Sequence, residues 1–196
     1  MRNRHAVQKT SCAQRNIPWY FNLDWKHKEV VLVGMDQEST YRRLIDFTPV
    51  GAEAYLRFFK QELIPTLEKE FQITQDRTYM GVSLGALFGA VLLADEPIGT
   101  PFFKNYLLVD GTFNFLTSKY IDAENTRFNT SHELNVQLIL TGATPGNSAR
   151  ASAFADRYRQ RGYQGLTVVF KAYPIPHASI AAPSFSDCID LFYPAN

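Results

Sequence analysis

Cysteine is nearly absent from this chain. Only Cys12 and Cys188 occur, far apart and in no metal-ligand spacing, so neither a disulfide framework nor a zinc site is indicated, and no cofactor is implied. A reducing cytoplasm is the default compartment. An excess of charge of one sign is missing too: Lys+Arg number 20 against Asp+Glu 19, which sets aside nucleic acid and acidic membrane surfaces as partners. No apolar run approaches the roughly twenty residues needed to span a bilayer. Repeats, low-complexity tracts and interdomain linkers are also lacking, and residues 17–196 read as a single domain. Residues 1–16 carry Arg2, Arg4, Lys9 and Arg15 and no acidic residue, without the apolar stretch of a secretory signal. They are expected to form a flexible basic arm.

What is present is an ordinary globular composition, 45% hydrophobic and 20% charged over 196 residues, enough chain to bury a core without staples. Short apolar runs predict strands at Glu29–Val33, Arg77–Val82, Tyr106–Val109, Val136–Leu140 and Leu166–Phe170, with a weaker one at Trp19–Leu23. Helical patterns fall between them at Ala52–Phe71, Leu84–Leu93, Ala149–Arg161 and Phe185–Phe192. Continuous runs such as Val30-Val31-Leu32-Val33 and Tyr106-Leu107-Leu108-Val109 suit strands covered on both faces. The alternation predicts an α/β fold with a mostly parallel sheet and helices on both faces. Pro65 should kink or break the first long helix near Leu63, and Ser148 is placed to cap the helix after Gly146-Asn147.

The most informative motif is Gly81-Val82-Ser83-Leu84-Gly85, set between the strand Arg77–Val82 and the apolar helix that follows. That setting is a nucleophile elbow, in which a tight strand-to-helix turn presents a serine hydroxyl at the carboxyl edge of a sheet. Outside such a setting the same string is more often a Gly/Ser loop. A serine hydroxyl is a poor nucleophile at neutral pH and needs an imidazole to take its proton. His5 lies in the basic arm, His27 sits between Lys26 and Lys28, and His132 is in a polar connection; only His177 follows a core strand, behind Tyr173-Pro174-Ile175-Pro176. Serine first and histidine last is the chain order of hydrolases of this architecture. The elbow itself aims the Leu84 amide at a developing oxyanion, and Trp25 or Met35 is the source considered for a second amide.

The acid has two readings. Asp110 ends the strand after the nucleophile helix, where it would fix the imidazole tautomer, or Asp110-Gly111 is only a turn. Asp187 and Asp190 on the terminal helix are alternatives, and Asp156 falls inside a helix. Phe102, Phe103, Phe113 and Phe115 either line a pocket beside the elbow or pack in the core.

Beyond single residues, a wider resemblance emerges. Phe59-Lys60-Gln61-Glu62-Leu63-Ile64-Pro65, Asp76-Arg77 ahead of the elbow, Arg43-Leu44-Ile45-Asp46-Phe47-Thr48-Pro49 upstream, and His177 followed by a helix ending Ile189-Asp190-Leu191-Phe192 resemble the putative esterase family of α/β-hydrolases over roughly residues 29–193. That family includes enterochelin and related siderophore esterases, S-formylglutathione hydrolase and the mycolyl-transferases. The resemblance implies an α/β-hydrolase fold and an acyl-enzyme on Ser83, with His177 as general acid and base and a small-molecule carboxylic ester or thioester as substrate.

Departures accompany it. The strands that family members carry before this point are reduced to an echo at Phe21-Asn22-Leu23-Asp24-Trp25, Ala86 stands where the family has a second glycine, and the loop Thr141–Ser148 lacks the family's acid. The sheet edge left by reduced amino-terminal strands would be covered by the basic arm or by a second copy of the chain, giving a homo-oligomer. An incomplete triad and oxyanion hole also keep open a hydrolase-like binding protein with little turnover.

Overall fold

The computed structural model describes residues 30–35 and 40–194. Four strands lie side by side in chain order, all parallel: β1 (Thr78–Val82), β2 (Asn105–Val109), β3 (Gln137–Ala143) and β4 (Thr167–Tyr173). Their register aligns Val82, Val109, Thr141 and Lys171 across the sheet. Parallel neighbours require long crossovers, so every connection out of a carboxyl end leaves from the same edge. The helices are α1 (Thr40–Asp46), α2 (Ala52–Phe58), α3 (Ile64–Glu70), α4 (Leu84–Ala94), α5 (Ser118–Thr130), α6 (Ser148–Arg161) and α7 (Ala181–Phe192).

β2 shows why a strand without polar alternation forms here: all five of its residues are buried. Successive side chains point to opposite faces. Tyr106 and Leu108 join Leu138, Leu140, Phe88 and Phe154 in the larger core, which α4 and α6 cover. Leu107 and Val109 join Ile139, Ile180, Cys188 and Phe192 under α7. α4 is apolar nearly all round because it is buried nearly all round. Its Gly89 lets it approach the sheet, since a Cβ there would fall 2.4 Å from Leu108 and 2.6 Å from the Tyr79 ring.

Two expectations are corrected, one holds, and one helix is new. Val30–Val33 enter no ladder among the described residues: Val30 packs against Phe185 and Ile189, but Val31, Leu32 and Val33 are exposed, so this run lacks the cover on both faces that an all-apolar strand needs. The interruption expected near Leu63 is present: a π-helical turn at Phe59–Leu63 separates α2 from α3, and Pro65 lies in the first turn of α3. Ser148 is the first residue of α6 and not its cap; Asn147 holds the cap position and makes no side-chain cap bond. Finally, α5 is a helix that apolar periodicity does not predict, because its buried residues are Tyr120, Glu124 and Arg127. Residues 1–29, including the arm and the Trp19–Leu23 expectation, lie outside the described residues. No helix among the described residues is long and apolar enough to cross a membrane.

Candidate active site

Ser83 occupies the turn between β1 and α4 with φ 58° and ψ −113°, a conformation a non-glycine residue rarely adopts. Such geometry costs about 1–3 kcal/mol and persists only where the surroundings impose it. Here they do. The Ser83 N–H donates to the Val109 carbonyl at 2.9 Å, and its own carbonyl accepts from Leu87 at 3.1 Å and Thr112 at 3.4 Å. The two motif glycines are not equivalent. A Cβ on Gly81 would lie 2.3 Å from the Gly85 carbonyl, so the fold of the turn excludes any side chain there, whereas a Cβ on Gly85 would meet nothing nearer than the Tyr79 hydroxyl at 4.0 Å. That hydroxyl donates to the Gly85 carbonyl at 2.7 Å and ties the turn down from below. Leu84 is the first residue of α4, where an N–H has no partner within its own helix.

Asp110 follows β2, one strand over, with φ 45° and no exposure to solvent. Its Oδ1 accepts two backbone N–H bonds, from Ala143 and Asn147, both at 2.8 Å. The Asn147 amide donates to the Asp110 carbonyl at 3.1 Å and reaches Oδ2 at 3.4 Å. The remaining partner of Oδ2 is Nδ1 of His177. His177 opens a single 3-10 turn, His177–Ser179, between β4 and α7. Its side chain is 42% exposed, in contrast to the sealed carboxylate behind it. The turn is fixed at both ends: Tyr173 donates to Asp187 at 2.8 Å, and Ser184 pairs with Thr141 at 2.8 Å in the buried interior.

Asp110-Gly111 is therefore more than a turn: its carboxylate meets His177. Of the alternative acids, Asp187 bonds Lys171 and Tyr173, and Asp156 bonds Arg159 at 2.8 Å. His132 stacks on Phe128 at 4.4 Å, and His5 and His27 lie outside the described residues. Phe103 and Phe113 are core, the latter stacked on Phe154 at 4.3 Å, while Phe115 remains 56% exposed beyond Asp110. Of the two residues considered for a second amide, Trp25 lies outside the described residues and Met35 packs at the margin of the larger core. Among the described residues, no cluster of three His, Cys, Asp or Glu side chains is arranged to hold a metal ion.

Asn147 is the member of this constellation that sequence reasoning missed. The loop Thr141–Ser148 was conspicuous for having no carboxylate, yet it supplies the donors that hold one brought from β2. Its glycines permit the approach: a Cβ on Gly146 would sit 2.8 Å from Asp110 Oδ2, and one on Gly142 would sit 2.5 Å from the Ser148 Cα. A loop that works through backbone amides leaves no side-chain motif to read.

The family model described as Putative esterase matches residues 21–98, a segment that includes the elbow, in agreement with the resemblance read from the motifs. Among curated proteins, no sequence matches this chain. Solved structures share its fold. An IroE-like serine hydrolase from Shewanella oneidensis superposes with a TM-score of 0.62 at 24% identity, over 74% of this chain and 54% of that one. The BES protein from Bacillus cereus gives 0.67 at 22% identity, covering 81% and 68%. The siderophore hydrolase EstA from Aspergillus nidulans gives 0.66 at 17% identity, covering 88% and 75%. The chain thus spans about half the length of the Shewanella hydrolase, and its fold is that of the α/β-hydrolases.

Proposed function

We propose that this chain is a serine hydrolase of carboxylic esters or thioesters. The observation that carries the reading is the contact between His177 Nδ1 and a buried Asp110 carboxylate whose other oxygen is saturated by two backbone amides. Ser83, strained at the elbow, supplies the nucleophile. Its Oγ attacks the carbonyl carbon while the second imidazole nitrogen of His177 takes its proton. The negative charge passes to the carbonyl oxygen, which the Leu84 N–H receives. Collapse of the tetrahedral species breaks the bond to the leaving alcohol or thiol, which departs with the proton from His177. Water then repeats the sequence against the acyl-enzyme and restores the Ser83 hydroxyl.

Asp110 acts through His177. It holds the proton on Nδ1, so that the other nitrogen is the free base, and it stabilises the imidazolium once formed. Structurally similar proteins include a serine hydrolase and a siderophore hydrolase, in keeping with this chemistry. The reading as a binding protein with little turnover rests on the acid missing from Thr141–Ser148 and on the reduced amino-terminal strands; the contact of Asp110 with His177 speaks against the first of these grounds.

A fluorophosphonate probe tests the proposal. Intact protein should be labelled at Ser83 and the folded Ser83→Ala variant should not. Folded protein that stays unlabelled would refute the serine mechanism.

A further inference from the structure

A second polar centre lies at the far end of α6. Arg157, Gln160 and Arg161 share one face of its last turns, at the i, i+3, i+4 spacing that makes helical side chains neighbours. Beneath them sits Glu124 of α5, fully buried. Arg157 donates to its Oε2 through Nε at 3.1 Å and again through Nη2. Arg161 donates through Nε to Oε1 at 2.9 Å and through Nη2 to Oε2 at 2.8 Å, with a further bond to Asn125. One carboxylate is neutralised by one guanidinium, so two leave a net positive charge. The neighbouring Arg159 does not add to it, being paired with Asp156.

The surplus is held in place. The Arg161 guanidinium lies 4.7 Å over the Phe128 ring, and that ring stacks on His132. The Nη1 groups of both arginines make no bond among the described residues, and the two side chains, with Gln160, line a solvent-open recess of about 250 Å³. Rigid planar donors and one unbalanced positive charge suit a small oxyanion, which guanidinium forks bind in paired hydrogen bonds.

We propose that this recess binds a phosphate or carboxylate group, at a site separate from the hydrolytic centre. α6 rises about 1.5 Å per residue, so Arg161 stands about 20 Å from the Asn147 end of the helix, where Asp110 is held. The proposal does not rest on the esterase reading.

Calorimetric titration of the full chain with inorganic phosphate and, separately, with acetate tests it, with ionic strength held constant by sodium chloride. Saturable one-site binding is expected. Phosphate tighter than acetate identifies a phosphoryl ligand, and comparable affinities identify a carboxylate. Arg157→Gln, which leaves Arg161 on Glu124, should weaken binding about tenfold, the worth of a charge-assisted bond. Arg159→Gln should leave it unchanged. Gln160→Glu places a negative charge in the recess on an exposed residue and should abolish binding without touching Glu124. Absence of saturable heat with either anion, or undiminished affinity in Gln160→Glu, would overturn the proposal.

Discussion

Four carboxylates are buried among the described residues; Asp46 is paired with Arg42 on α1, and the other three are met in different ways at the two ends of the sheet. At the carboxyl edge, Asp110 is met by two backbone amides and an imidazole. Toward the amino ends of the strands, Glu124 is met by two guanidiniums, and Glu96 by the amides of Phe102 and Phe103 and the Tyr106 hydroxyl. A guanidinium keeps its proton at any pH a folded protein experiences, so the two cations beside Glu124 are permanent. The Glu96 carboxylate is bonded by no cation, the Arg127 guanidinium donating instead to the Glu96 backbone carbonyl at 3.2 Å, and burial raises its pKa. Asp110 alone is paired with an imidazole, a side chain whose two nitrogens can donate and accept protons, and one that reaches solvent. The contrast teaches that burial alone does not tell these carboxylates apart; the partner does.

Asp110→Asn gives the largest effect that can break this comparison. Its amide oxygen can still accept from Ala143 and Asn147, so the fold should persist. Its NH2, however, presents a donor to Nδ1 and drives the imidazole into the wrong tautomer. Turnover of an activated ester should fall by about 10⁴-fold, as loss of the acid does in triads generally. Full activity in a folded variant would move the acid elsewhere. Glu124→Gln should act on stability instead. It leaves two guanidiniums facing a neutral group and should cost about 3 kcal/mol, read from the denaturant midpoint. If the two variants behaved alike, the distinction between the two ends would fail.

The same contrast explains how far the fold and site were readable. Runs such as Tyr106–Val109 declare a strand covered on both faces because every residue must be apolar, and the elbow declares itself because Gly81 admits no side chain. α5 stayed hidden because its buried residues are polar and are met by groups from elsewhere in the fold, Tyr120 by Tyr158, Glu124 by Arg157 and Arg161, and Arg127 by the Glu96 and Glu133 carbonyls, which no hydrophobic pattern registers. Val31–Val33 misled in the opposite sense: apolarity identifies a segment that suits burial, not one that is buried. The partner of His177 was readable only as one of several carboxylates, because what selects Asp110 is a set of amides contributed 33 and 37 residues later.

Asn147 sharpens the comparison from the side of the cradle. Its side chain donates to both the backbone and the carboxylate of Asp110. Asn147→Ala keeps the two backbone N–H bonds and removes only the side-chain ones. Each is worth about 1 kcal/mol, so kcat should drop about tenfold with KM nearly unchanged. A change confined to KM would make Asn147 a substrate contact and not a support for the acid.

The smallest expected effect concerns Glu96. Because its pKa is raised in the folded protein, the folded state binds a proton more tightly than the unfolded chain. Below the ordinary carboxylate range both states are protonated, and the group's contribution to stability is fully present. As pH rises past the unfolded value and through the folded one, the native state holds more protons than the unfolded state, and that contribution is lost. Glu96→Gln cannot titrate. Comparing denaturant midpoints from pH 4 to pH 8, the native chain should therefore lose stability relative to the variant as pH increases. Asp110, with a half-exposed imidazole beside it, and Glu124, with two permanent cations, remain in both proteins, so their titrations cancel in the difference. A difference that is flat with pH would mean that Glu96 is already ionised against its amides and the Tyr106 hydroxyl, and that a buried carboxylate here needs no cation at all.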